Sequence, residues 1–424
     1  MTVANEDLPK PRTPEAPTAV TPEGETARRS SGGARLLRGG AGLIGTLLGL
    51  LALPVVFRIP SSAVWELTVA VSVWTHLLVG ACLLAAALSF VVRRRTGSPG
   101  AKMLAIFLFF AAIISAIPVG EQRLSVTRLA DELREQFGEG ELRTYPGAPP
   151  RSAALSPAGW WAPNAPRVAV TTHRFATVSE IDLELDLYRA EGATGPQPLI
   201  VVVHGGAWVR GERSDFPDWN RYFAARGYTV ADVDYRLAPT HRFPAAIDDI
   251  HRAIDVLRER ADEWGIDRDR IVLLGRSAGG HLALTAAYRA GDRPIAGVVG
   301  FYAPTDLVWS WETSIDKTYI DGRAVIEALM GGVPADLPEL YREASPREWV
   351  SADTPPTLLL HGDRDVLVAP HQSTRLAEKL TEFDVPHLEI QIPGATHGFD
   401  ISLAGGPGQI GLFAVERFLA AVCR

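Results

Sequence analysis

Apolar positions follow two regimes along the 424 residues. Before residue 120 they form long, nearly uninterrupted runs. Residues 39–57 are apolar apart from Thr46, residues 67–92 carry no formal charge although His76 lies among them, and residues 103–119 form a third, shorter run. A helix needs ~20 apolar residues to cross a bilayer, so the pattern predicts three transmembrane helices in a membrane domain spanning 39–119.

After residue 165 the runs are short and alternate in period. Residues 168–175 and 181–188 alternate apolar with polar, which predicts an opening hairpin. Then come strands at 198–203, 229–233, 271–274, 295–302, 357–360 and 387–392. Helical patterns lie between and after them, near 219–226, 245–264, 281–287, 373–383 and 412–422. Strands alternating with helices predict an α/β class domain over 165–424, a mostly parallel, doubly wound sheet. Residues 305–350 interrupt the alternation, carry Trp309, Trp311 and Trp349, and read as a cap or pocket wall.

The remaining stretches are polar. Residues 1–38 hold prolines, Glu, Thr and Arg with few large apolar side chains and are predicted to be a disordered tail. Residues 120–164 read as a stalk helix, with Leu129, Leu133 and Phe137 at four-residue spacing, and then a Pro-, Ala- and Gly-rich linker holding the domain off the membrane. Arg28, Arg29, Arg35 and Arg38 precede the first apolar run, Arg58 alone follows it, and Arg93, Arg94, Arg95 and Lys102 separate the second from the third. Basic loops stay cytoplasmic, so the tail is expected inside and everything after Val119 outside, with Trp65 at the outer interface.

Candidate chemistry sits at strand ends. Gly275-Arg276-Ser277-Ala278-Gly279 joins the strand at 271–274 to a helix. G-x-S-x-G in that setting is a nucleophile elbow, a strained turn that presents the Ser277 hydroxyl. His204-Gly205-Gly206-Ala207-Trp208 follows another strand, and its small residues let backbone N–H groups of Gly206 and Ala207, with that of Ala278, stabilise a developing oxyanion. Asp363 and Asp365 follow the strand at 357–360, Asp306 follows the one at 295–302, and His397 follows the one at 387–392. The order Ser, Asp, His is that of the α/β-hydrolases. His281, one turn into the elbow helix, reads as packed, and His204 as a brace for its loop.

These motifs, with Asp234-Tyr235-Arg236-Leu237-Ala238-Pro239, resemble the BD-FAE-like and hormone-sensitive-lipase-like esterases over roughly three fifths of the chain. The resemblance implies an α/β-hydrolase fold, an acyl-serine mechanism and a Ser277-Asp365-His397 triad. It favours Asp365 because His361-Gly362-x-x-Asp365-x-x-Val368 fits the family pattern. Two departures stand out. Ala207 replaces a common glycine but keeps the N–H, and Arg276 precedes the nucleophile where the hormone-sensitive-lipase type usually has an acid. The expected activity is hydrolysis of a small-molecule or polymer-borne ester. Acyl transfer, amide cleavage and a non-catalytic binding role are the alternatives.

Composition narrows this further. A net charge of −7 argues against a nucleic-acid partner, leaving the lipid bilayer as the expected macromolecular one. Cys82 lies in a membrane run and Cys423 near the C-terminus, so no disulfide is expected. No metal-ligand spacing or dinucleotide fingerprint occurs, and no cofactor is expected. Oligomeric state is unreadable.

Overall fold

The computed structural model describes residues 42–53, 65–144, 148–160, 167–314 and 320–424. The predicted tail, the loop carrying Arg58, part of the linker and residues 315–319 of the insertion lie outside them.

Eight strands form one sheet: β1 (Val168–Val178), β2 (Ile181–Ala190), β3 (Gln197–Val203), β4 (Thr229–Val233), β5 (Ile266–Arg276), β6 (Ile295–Phe301), β7 (Thr357–Gly362) and β8 (His387–Ile392). Their order is β1-β2-β4-β3-β5-β6-β7-β8. The first two strands pair antiparallel, β2 meets β4 antiparallel, and all later pairings are parallel. The side-chain pattern explains the layering. Every residue of β3 is buried, as a strand covered on both faces requires. Leu199, Val201 and Val203 point into one apolar layer, Ile200 and Val202 into the other. On β2, Leu183, Leu185 and Leu187 reach the first layer, alternating with the half-buried Glu184 and Asp186, and Tyr188 on the opposite face enters the second.

The order in which strands are laid down reverses at β3: β4 adds to one side of it and β5 to the other, all three running parallel. Ligands of open α/β sheets bind outside the carboxyl ends of strands at such a switch point. The turns after β3, β5, β7 and β8 carry the candidate residues, so the topology gathers them at one edge.

The N-terminal region differs from the expectation in two ways. Two helices, not three, are long and apolar enough to cross a membrane among the described residues: Thr75–Thr96 and Pro99–Ser125. Among the described residues the first apolar run contributes Gly42–Leu51, α1. That helix spans ~15 Å, about half a bilayer's apolar thickness. The second run is broken at Trp74 into α2 (Trp65–Val73) and α3 (Thr75–Thr96), followed by α4 (Pro99–Ser125). Their large apolar side chains point mainly outward, among them Leu84, Leu88, Met103 and Phe110.

The expected stalk is the second difference. Leu129–Phe137, α5, does not stand free. Leu129 and Leu133 are buried in the same apolar layer as Ile200 and Val415, and the Phe137 ring meets Phe418 edge-on at 4.8 Å. An apolar stripe at helical spacing needs a surface to cover, and the C-terminal helix supplies it. The linker is pinned as well: the Arg151 N–H donates to Glu416, and Arg226 donates to the Pro149 carbonyl.

Candidate active site

Ser277 sits between β5 and the helix Ala278–Tyr288, at φ 55° and ψ −122°. A side chain there is strained, and the turn is held by close backbone approach. A Cβ on Gly275 would collide with the Gly279 carbonyl, and one on Gly279 with the carbonyls of Val203 and His204. The Ser277 N–H donates to Phe301 O at 2.9 Å.

The structure brings Ser277, His397 and Asp365 together. His397 Nε2 lies 2.9 Å from Ser277 Oγ, and Nδ1 lies 2.7 Å from Asp365 Oδ2. An ionised carboxylate only accepts, so Nδ1–H donates to it and Nε2 faces the hydroxyl with a lone pair. The Leu367 and Val368 N–H groups donate to Asp365 Oδ1 at 2.8 and 2.9 Å. His361 Nε2 stands 3.3 Å from Oδ2. Burial pushes the Asp365 carboxyl up, but the charge of His397 and hydrogen bonds from His361 and His397 outweigh it and hold Asp365 well below the usual carboxylate range.

The other acids are engaged elsewhere. Asp363 Oδ1 accepts from the Gly394 N–H at 2.7 Å, a turn contact. Asp306 caps the helix Leu307–Thr313 and pairs with Arg375 at 2.7 Å.

The loop after β3 lies against the elbow: a Cβ on Gly205 would stand 3.1 Å from Arg276 O. Gly206, Ala207 and Trp208 all take positive φ, and Ala207 and Ala278 line the same cavity as Ser277 and His397. The loop is braced from both sides. Tyr235 stacks on the His204 ring at 4.2 Å and donates to His204 O. Trp208 Nε1 donates to His281 Nδ1, so His281 Nε2–H donates to Ala344 O. Burial lowers the His281 pKa to about 4, consistent with a neutral structural ring.

The cavity measures about 430 Å³. The 305–350 insertion contributes Ser310, Ile320, Val325 and Ile326 to its wall, and the segment after Asp365 contributes Val366 and Leu367. None of the three tryptophans of the insertion lines it. Trp309, Trp311 and Trp349 instead lie under the guanidinium groups of Arg375, Arg323 and Arg289.

Side chains to which sequence reading gave no part in the site surround the loop of His397. The Tyr302 ring lies 4.4 Å from the imidazole, and its hydroxyl donates to Asp400 at 2.6 Å. Asp400 in turn pairs with Arg276 at 2.5 Å, both side chains almost fully buried. That pair links the residue before the nucleophile to the loop of the histidine, and gives the unusual Arg276 a physical reason. Trp65 and Gln122 reach the same loop from the N-terminal helices.

Residues 185–380 match the BD-FAE family profile. The chain is 34% identical over 261 residues to Esterase LipC of Mycobacterium tuberculosis, covering 57% of this chain and 62% of that protein. It is 29% identical over 255 residues to the probable carboxylic ester hydrolase LipM of the same organism, covering 56% and 58%. The chain thus spans less than two thirds of the length of these relatives. Among solved structures, a bacterial heroin esterase aligns with a TM-score of 0.54 at 23% identity over 63% of this chain and 88% of that one. Brefeldin A esterase, described as a bacterial homologue of human hormone sensitive lipase, aligns with a TM-score of 0.53 at 22% identity over 71% and 95%. With the strand order and the elbow already in hand, these likenesses establish that the chain carries an α/β-hydrolase fold.

Proposed function

We propose that this protein is a membrane-anchored serine hydrolase that cleaves carboxylic esters, with its catalytic domain outside the cytoplasm. One observation carries the chemistry: the unbroken chain Ser277 Oγ, His397, Asp365, with Ser277 and His397 in the wall of a largely apolar cavity.

In this reading Ser277 is the nucleophile. As its oxygen attacks the ester carbonyl, the hydroxyl proton passes to His397 Nε2. Asp365 fixes the tautomer and stabilises the imidazolium. The N–H groups of Gly206, Ala207 and Ala278 receive the negative charge of the tetrahedral intermediate, each worth about 3 kcal/mol of barrier. The histidine proton then goes to the departing alkoxide, leaving an acyl-serine. Water attacks it in turn, giving its proton to His397, and Ser277 is regenerated with release of the acid.

The membrane reading rests on α3 and α4. Thr75 and Ser125 lie at the domain side of this hairpin, since α2 and Gln122 contact the domain. The turn between the helices, ~30 Å away at 1.5 Å per residue, carries Arg93, Arg94, Arg95 and Lys102. A basic turn kept in the cytoplasm puts the domain on the other side, whatever the path of α1.

The test is fluorophosphonate labelling of the full chain in detergent, with rates on p-nitrophenyl esters of graded acyl length. Ser277→Ala should lose both labelling and turnover. Labelling that persists in the variant would refute the nucleophile assignment. Labelling without hydrolysis in the wild type, with product appearing once an alcohol acceptor is added, would favour the acyltransferase alternative.

A further inference from the structure

The loop that carries His397 is seated on the N-terminal helices. The Trp65 indole N–H, at the start of α2, donates to the backbone carbonyl of His397 itself at 3.0 Å. Its ring lies 6.4 Å from the imidazole, tilted by 59°. Gln122, near the end of α4 and almost fully buried, donates from Nε2 to Pro393 O at 2.7 Å. So one helix holds the loop at its histidine and the other holds it four residues earlier.

The glycines of the loop are an independent sign of the same fit. A Cβ on Gly394 would stand 2.5 Å from Pro118 of α4, one on Gly405 2.5 Å from Val73 of α2, and one on Gly406 2.8 Å from Gln122 Oε1. Side chains at these positions would push the helices off. The loop surface is therefore shaped to the anchor.

Geometry gives this a catalytic consequence. The imidazole must keep hydrogen-bond reach to Ser277 and Asp365 at once, and small misplacements of a reacting group are costly in rate. Within the domain, the loop is tied by Asp363 to the Gly394 N–H and by Asp400 to Arg276. Among the described residues, the carbonyl of His397 accepts from its neighbour Thr396 and, across the fold, from Trp65.

We propose that the anchor is a working part of the active site: Trp65 and Gln122 are positioning residues that hold His397 in register with Ser277. This rests on the esterase reading above.

The experiment uses the full chain in detergent or nanodiscs and compares wild type, Trp65→Phe and Gln122→Leu, each also in a His397→Ala background. Trp65→Phe keeps an aromatic ring and removes only the donor. One such bond is worth roughly a fivefold to tenfold change in rate. The expected result is a fall in kcat of that order, with KM and the melting temperature close to wild type. In the His397→Ala background the same substitution should have no further effect, because its route to the reaction is gone. Unchanged kcat in both variants would overturn the proposal, as would a loss that persists undiminished without His397. If Trp65→Phe does not fold, Gln122→Leu decides by the same criteria. A wild type with Ser277-dependent turnover but neutral variants would sink this proposal alone, whereas a wild type that neither labels nor turns over would refute the esterase reading.

Discussion

Asp400→Asn is the sharpest perturbation of the core beneath the site. Asp400 is fully buried and holds Arg276, Tyr302 and, through its carbonyl, Trp219. Asparagine keeps the shape and removes the charge, so Arg276 is left as a buried cation without its counter-ion. Breaking a buried pair this way costs about 3–5 kcal/mol. Arg276 also lies over the rings of Phe216, Trp219 and Phe301 at 4.3, 4.9 and 5.1 Å. Such contacts retain about 1 kcal/mol of the cation's stabilisation and pull the expected loss to roughly 3 kcal/mol. For a domain of this size that is a fall in melting temperature of about 6–12 °C. The assay is thermal unfolding of the full chain in detergent, followed by intrinsic fluorescence. The double variant Arg276→Met/Asp400→Leu, which removes both charges, should recover most of the stability yet not the turnover, because the elbow and the histidine loop are no longer tied. A single-variant shift under about 2 °C would refute the idea that Asp400 neutralises Arg276.

Three further outcomes follow. Asp365→Asn should cut kcat by about 10⁴ through the wrong histidine tautomer, while Asp363→Asn should leave turnover near wild type; steady-state rates on one ester decide, and the reverse ranking would move the acid. Burial raises the Asp232 pKa to about 7, against hydrogen bonds from Ser214 and Asn220 that lower it. Folded Asp232 therefore keeps a proton that the unfolded chain has lost between pH ~4 and ~7, so its contribution is present at low pH and lost as pH rises, by at most about 4 kcal/mol. The melting temperature of Asp232→Asn relative to wild type should accordingly improve from pH 5 to pH 8; a constant difference would refute the raised pKa. A phosphatase fused after residue 140 should be active outside the cytoplasm, and inactivity at normal expression would refute the proposed orientation.

The sheet was legible because its strands announce themselves locally. Continuous apolar runs such as 198–203 and the alternating pair 168–175 and 181–188 depend on burial of neighbouring residues, which period reveals. The residues now found within hydrogen-bond reach of one another were legible for a related reason: each sits in a turn whose small residues are dictated by close backbone approach, as at Gly275 and Gly279. The insertion does line the cavity, but its tryptophans are not the lining residues, because a bulky ring reads alike in sequence whether it faces a cavity or lies beneath an arginine. For Trp309, Trp311 and Trp349 the arginine occupies the ring.

What stayed hidden was pairing over long sequence separations. Arg276 looked like a departure from pattern because its counter-ion lies 124 positions onward. The stripe Leu129, Leu133 and Phe137 was read as a stalk although three apolar residues on one helical face need a partner surface, and the surface is nearly three hundred residues away in the chain. The same blindness applied to the N-terminal helices. Read for length and charge alone they describe only an anchor, since a bilayer asks nothing more of them. Trp65 and Gln122 break that reading: a membrane has no use for an indole N–H that donates to the carbonyl of His397, or for a buried amide that donates to Pro393. Buried polar groups are paired, and here the pairs cross from the N-terminal helices to the histidine loop, so the boundary drawn by composition near residue 120 is not a boundary of packing.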